Sequence, residues 1–244
     1  WDPNSLPSTV DVLLFGILEP TALYLLWIII YFIFHIFDRT NKALQYEAAI
    51  NEFELNNLKT QLNPHFIFNS LNSIRALVDE DPKKSKQAIT QLSNILRNSL
   101  ILDKKKLISF EEELNTVKDY LELESVRYEE RLDVQYDIAP ESMDFNIPPM
   151  MIQTLVENGI KHGVSQLTKG GSVEIRTHIH NHTLVIQIRN SGQYVNGKNK
   201  SHTGIGLKNT IKRLDLIYSD QASFSIENEN SDTVLTQIVI PETI

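Results

Sequence analysis

The chain has 244 residues, 41% hydrophobic and 22% charged, enough apolar material for a folded core. A formal net charge of -8, with no long run of lysine or arginine, argues against nucleic-acid binding. Cysteine is absent, so disulfides and thiolate metal sites are excluded.

The sequence opens on Trp1 rather than methionine and reads as a piece of something longer. From Val12 to Phe37 it carries one formal charge, Glu19, and is long enough as a helix to cross roughly 30 Å of hydrocarbon. A transmembrane helix is expected over residues 1–40, with Glu19 and Pro20 near its outer interface or at a kink. A signal peptide is disfavoured, because no basic stretch precedes the apolar run and no small-residue cleavage site follows it. Arg39 and Lys42 follow the span, so the positive-inside tendency puts the rest of the chain in the cytoplasm. Leu44, Ala48, Asn51, Leu55, Leu58 and Leu62 then alternate at steps of four and three, the seam of a short coiled coil, with Asn51 fixing register.

The stretch QLNPHFIFNSLN, residues 61–72, breaks this helix. Proline in mid-helix costs roughly 3 kcal/mol, but at the first helical position it costs little. Asn63 is a favoured N-cap, so one helix ends or bends and another restarts with Pro64 first and His65 in its first turn. The positive end of that helix disfavours a protonated imidazole and welcomes an anionic group, which suits a histidine that accepts phosphoryl. Phe66, Phe68, Leu71, Ile74, Leu77 and Val78, then Ile89, Leu92, Ile95, Leu96 and Leu100, give two apolar faces around a turn at Asp81 and Pro82. An αα-hairpin follows, and two hairpins from two chains would make a four-helix bundle, hence a homodimer. A further helix is expected over Leu107–Arg131, opened by Ser109 and Glu112 at capping-box spacing.

Beyond Leu132 the pattern becomes mixed. LDVQYDI reads as a strand, and Ile147–Gly163 as a helix with proline near its start and glycine at its end. SVEIRTHI and TLVIQIRN alternate as two strands joined at Asn181 and His182, which leaves His178 and His180 on the watery face. A polar, glycine-bearing loop runs from Gly192 to Gly204, a helix starts at Gly204, and ASFSIENEN with TVLTQIVI closes the chain as a strand pair. The fold class is therefore α+β, ending in an α/β sandwich with helices on one face of a mixed sheet.

QLNPHFIFNSLN, LVENGIKHG and GIGLKNT, in this order after an apolar span, resemble the LytS-type family of membrane sensor histidine kinases, whose catalytic domain has the GHKL ATPase fold. The resemblance covers roughly Leu55–Ile244. It implies autophosphorylation of a histidine by ATP and transfer to an aspartate of a response regulator, of LytTR type, from a homodimer in the inner (cytoplasmic) membrane. It also implies a division into a membrane segment (1–40), a coiled coil with a dimerisation and phosphotransfer hairpin (41–106), and a linker helix with an ATP-binding domain (107–244). His65 matches the family's phosphoacceptor. Asn158 matches the asparagine that holds Mg²⁺, and its carbonyl oxygen suits a hard cation. Lys161 is placed to reach the nucleotide phosphates, His162 to line the nucleotide pocket, and Glu157 to position the metal's water or act as a base. Gly204, Gly206 and Leu207 match the second glycine box, where missing Cβ atoms admit phosphates to a helix N-terminus.

Two positions depart from the pattern. Where the wider fold has Asp-x-Gly, with a carboxylate for the adenine amino group, this chain has Asn190, Ser191 and Gly192, and a neutral acceptor bonds more weakly. No acid follows His65, so no general base is named. The rival readings are a non-catalytic dimeric membrane scaffold with a degenerate nucleotide pocket and an ATP-driven conformational machine of the same fold.

Overall fold

The structure, a computed structural model, describes residues 9–61, 63–101, 105–194 and 205–242. The chain divides after Thr60 into two units.

In the first unit, α1 (Thr9–Leu13) passes through a π-helical turn at Leu14–Leu18 into α2 (Glu19–Gln61). Pro20 has no N–H to give the preceding turn, and the wide π turn lies where that bond is lost. Thr21 Oγ1 donates to the carbonyls of Ile17 and Leu18, both at 2.9 Å, and satisfies two of the loosened acceptors. Gly16–Glu47, whose most apolar 18-residue window has a mean hydropathy of 2.0 and no buried residue among the described ones, is long and apolar enough to cross a membrane. Tyr24, Trp27, Tyr31 and His35 stack one on the next at helical spacing along this exposed surface. Leu44 of the expected coiled-coil seam is exposed. Leu62 and the side chains of Ala48, Asn51, Leu55 and Leu58 lie outside the described residues.

The second unit begins with the hairpin α3 (Pro64–Glu80) and α4 (Pro82–Ile101). The expected apolar faces split in two. Phe66, Ile74, Leu92 and Ile95 are buried, whereas Phe68, Leu71, Val78, Ile89 and Leu100 are exposed, Phe68 by 68%. Next come β1 (Ile108–Ser109) and α5 (Phe110–Tyr128), the latter capped by Ser109 Oγ, which accepts from the Glu112 N–H at 3.2 Å. Only half of the expected capping box forms, because the Glu112 carboxylate pairs with Lys105 at 3.0 Å instead of turning back to the cap. A ladder of side-chain amides ties α4 to α5: Gln91 donates to Glu122, Asn94 to Asp119 at 3.1 Å and Asn98 to Thr116 at 2.8 Å.

After β2 (Leu132–Ile138) and β3 (Asn146–Ile147), α6 spans Met151–His162. The helix expected from Ile147 thus starts four residues later. Ile147, fully buried, pairs with Ile108 in a two-stranded sheet and holds Pro148 and Pro149 outside the helix. β4 (Gly171–His180) and β5 (Thr183–Ser191) form the expected hairpin. Its two-residue turn has positive φ at both Asn181 (48°) and His182 (58°), the geometry that matches sheet twist. α7 (Ile205–Tyr218), β6 (Ser223–Asn228) and β7 (Thr233–Pro241) complete the unit. The main sheet has the order β2-β4-β5-β7-β6, with β2 parallel to β4 and the other pairs antiparallel. Alternation along β4, β5 and β7 buries Val173, Ile175, Leu184, Ile186, Ile188, Ile238 and Ile240 on one face. Phe110, Leu114, Val117 and Leu121 of α5, with Ile152, Leu155 and Val156 of α6, join that core. The opposite face is a solvated ion-pair surface, with Arg176 on Asp137 and Glu174 and Arg189 on Glu229.

Candidate functional site

The site is organised around α6. Its N-cap position, Met150, is left-handed (φ 61°) and offers no side-chain cap. The cap comes from α5 instead. Glu113, 1% exposed, accepts from the N–H groups of Met150 (2.8 Å), Ile152 (3.0 Å) and Gln153 (3.1 Å). One carboxylate thereby satisfies three of the orphan donors of a helix start. Burial pushes the Glu113 carboxyl up to about 7, against the pull of these three donors and of Arg213. Arg213 on α7 also donates to Pro149 O at 2.7 Å, so α5, α6 and α7 meet at one buried polar knot.

Along α6, the Asn158 amide nitrogen donates to Thr154 O at 2.8 Å, which turns its functional groups into a defined orientation. The remaining amide oxygen is a neutral, hard donor of the kind Mg²⁺ takes. Lys161 and His162 are exposed at the end of the helix. His162 lines a cleft of about 530 Å³ with Gly163 and Gln166 on one side and Ser191, Gly192 and Asp232 on the other.

The wall of this cleft depends on glycine. A Cβ on Gly163 would lie 2.2 Å from Ser191 O and 2.5 Å from Asn190 Nδ2, and Gly192, at φ 131°, has its missing Cβ 2.8 Å from the Gly163 Cα. The end of β5 can therefore lie directly on α6. Asn190, 7% exposed, is pressed against Gly159 and donates to Ser191 O at 3.1 Å. On α7, a Cβ on Gly206 would meet Thr154 of α6 at 2.8 Å, and Leu207 is buried. Gly206 thus makes the close approach of two helices possible, a packing role beside the phosphate role expected of it. Gly204 and most of the Gly192–Gly204 loop lie outside the described residues.

His65 stands in the first turn of α3, exposed, with Asn69 Nδ2 at 3.3 Å from both of its ring nitrogens. The helix restart has the expected form: Pro64 is the first residue and Asn63 Oδ1 accepts from the Phe66 N–H at 3.2 Å. Phe66 packs on Tyr120 of α5, ring centroids 4.9 Å apart. Beside this contact Tyr120 feels the charges of Glu124 and Glu157. Burial raises the proton affinity of each, with Arg127 opposing the rise at Glu124. Glu157, half-buried, accepts from Gln153 at 3.3 Å.

The structure thus gathers Asn158, Lys161, His162, Asn190 and Gly192 around the α6–β5 junction, with Gly206 and Leu207 behind α6. His65 is not among the residues lining the cleft. Sequence reasoning missed Glu113 and Glu124, although both fall on the stripe of Phe110, Leu114, Val117 and Leu121, and an acid on an apolar stripe is the signal of a buried partner.

Comparison with known proteins is consistent across sequence. A histidine kinase family profile matches residues 53–132. The sensor protein LytS of Staphylococcus saprophyticus is 34% identical over 197 residues, 76% of this chain and 33% of that protein. The chain belongs to the LytS-type histidine kinase family. The sensor histidine kinase/phosphatase LytS of Staphylococcus aureus strain Mu50 is 32% identical over 75% of this chain and 34% of its own length. This chain spans about a third of the length of these relatives. Among solved structures, the catalytic domain of histidine kinase ThkA aligns with a TM-score of 0.42 at 16% identity, covering 56% of this chain and 95% of that one. Full-length ShkA in complex with AMPPNP aligns with a TM-score of 0.42 at 13% identity, covering 69% and 39%.

Proposed function

We propose that this protein is a sensor histidine kinase that phosphorylates His65 from Mg-ATP and passes the phosphoryl group to an aspartate of a response regulator. The observation that carries the reading is the cleft lined by His162 at the end of α6 and by Ser191 and Gly192 at the end of β5, with Asn158 and Lys161 on the same helix and Asn190 pressed on Gly159 beside it. Asn158 would hold Mg²⁺, whose contribution is to offset charge on the phosphate oxygens. Lys161 neutralises phosphate charge as an exposed ammonium, and His162 packs on the base. Asn190 accepts from, and orients, the adenine edge. The neutral ring nitrogen of His65 attacks the γ-phosphorus, the bond from that phosphorus to the bridging oxygen breaks, and ADP leaves. An aspartate of the regulator, of LytTR type, then displaces the imidazole.

The exposed apolar stripe of Phe68, Leu71 and Val78 on α3, facing outward with Ile89 and Leu100 on α4, supports pairing of two hairpins in a homodimer. The bare apolar helix Gly16–Glu47 supports anchoring in the inner (cytoplasmic) membrane, with residues 41–106 as coiled coil and phosphotransfer hairpin and 107–244 as the catalytic part. Incubation with γ-labelled ATP and Mg²⁺ tests this function. Acid-labile label that disappears in His65→Gln supports it. A second reading, the non-catalytic scaffold, draws on Asn190, whose amide nitrogen is already committed to Ser191 O. Absence of ATP binding would select that reading.

A further inference from the structure

Strand β5 ends where its partner begins: Ser191 lies opposite Thr233, the first residue of β7. Gly192, Gln193 and Tyr194 run past that point, and their polar groups turn to the connection between β6 and β7. The Gly192 N–H donates to Asp232 O at 2.8 Å, and the Gln193 side-chain amide donates to Ser231 O at 2.6 Å. At Tyr194 the partner is a single side chain, that of Asn228, the last residue of β6. Asn228 Oδ1 accepts from the Tyr194 N–H at 2.7 Å, and Asn228 Nδ2 donates to Tyr194 O at 2.8 Å. A carboxamide carries the donor and acceptor of a peptide group in one plane, so Asn228 takes the part of a strand residue where the ladder has ended. The connection is itself braced. The Glu229 N–H donates to Thr233 O at 3.0 Å, the Asp232 N–H donates to Asn230 Oδ1 at 2.8 Å, and Arg189 of β5 pairs with Glu229 at 3.1 Å.

The residues held in this way belong to the cleft. Gly192, Gln193 and Asp232 line it together with His162 and Gly163. Gly192, at φ 131°, gives the chain a freedom there that other residues lack, and the bond pair at Tyr194 removes that freedom two residues later. We propose that Asn228 is a positioning residue for the nucleotide: through the backbone of Tyr194 it sets where Gly192 and Gln193 stand, and so the shape of the cleft that receives the base. Asn228 is not among the residues lining the cleft, so it acts on the ligand through those it holds. Its effect therefore falls on nucleotide affinity, for ADP as for ATP, and not on the attack by His65. The inference rests on the kinase reading above, in which the nucleotide occupies this cleft.

Two variants of the full chain test it. Asn228→Ala removes both bonds to Tyr194, whereas Asn228→Asp keeps the acceptor and loses the donor. The dissociation constant for ADP and the ATP concentration that half-saturates autophosphorylation are measured for each, with the rate at saturating Mg-ATP. Both constants are expected to rise by about tenfold in Asn228→Ala and by about threefold or more in Asn228→Asp, with the saturating rate retained. Hydrogen exchange at the Tyr194 amide should quicken in Asn228→Ala alongside the loss of affinity. A purely structural role would instead lower the saturating rate through loss of folded protein and leave both constants where they were. That result, or constants within about twofold of the parent's in both variants, overturns the proposal. Should Asn228→Ala fail to fold, the constants of Asn228→Asp decide alone. A parent that binds no nucleotide sinks the kinase reading itself, whereas a parent that binds ADP with the same affinity as its variants sinks only this inference.

Discussion

Helices α3 and α6 carry the groups assigned to phosphoryl transfer, His65 on one and Asn158 with Lys161 on the other, and they begin in opposite ways. The start of α3 is assembled from its own neighbours, with Asn63 as cap and Pro64 as first residue. The start of α6 has no local cap and borrows the Glu113 carboxylate, which is 37 to 40 residues away in sequence. A self-capped helix keeps its register when it moves, which suits a phosphoacceptor that must approach a nucleotide and later a regulator. A helix capped from a neighbouring core helix is tied to that core, which suits a fixed platform for metal and phosphate.

Replacing the remote cap should do the most damage. Glu113→Ala leaves three N–H groups, two of them buried, without an acceptor and is expected to lower stability by about 3 kcal/mol, seen as a fall in melting temperature of the detergent-solubilised protein. Loss of less than about 1 kcal/mol would mean that water or another side chain caps α6 equally well. The same carboxyl carries a pH signature. Its proton affinity in the folded state is raised from 4.5 to about 7, so the folded state binds the proton more tightly than the unfolded one. Its stabilisation is complete below pH 4.5 and is lost as pH rises through about 7. Thermal unfolding across that range should show the parent converging on Glu113→Gln by up to about 3 kcal/mol. A gap that widens with pH would show that the three N–H donors outweigh burial.

Separating chemistry from capping gives the third test. Asn158→Ala should reduce autophosphorylation by about a hundredfold, on the order of 2.7 kcal/mol, while leaving the stability within about 0.5 kcal/mol of the parent's. The local cap is expected to matter least for stability. Asn63→Ala removes one acceptor at a solvent-accessible helix start and should cost about 1 kcal/mol, a third of the Glu113 effect. An equal loss at both sites would erase the distinction between the two helix starts.

What was legible in the sequence follows the same division. Asn63–Pro64 at α3, Ser109 before α5 and Asn181–His182 between β4 and β5 are read correctly because each signal and its effect lie within a few residues. The sequence pattern puts the start of α6 four residues early because the pairing of Ile147 with Ile108 and the reach of Glu113 are long-range. Periodicity located the apolar residues of α3 and α4 but gave no sign that Phe66 and Ile74 are covered while Phe68 and Leu71 stay open, since both sets share one helical repeat. The glycine pattern points to phosphate contact at Gly206, and its packing on Thr154 depends on how closely α7 approaches α6, which no local pattern encodes.

The central claim is that His65 takes a phosphoryl group from the nucleotide held at α6. Mass spectrometry of peptides from protein incubated with Mg-ATP and kept at neutral to alkaline pH tests it most directly. The account predicts an added phosphoryl mass on the fragment containing His65 that is lost on brief acid treatment and never forms in Asn158→Ala. Phosphoryl mass confined to another histidine, or none at all under conditions where ATP is bound, would contradict it.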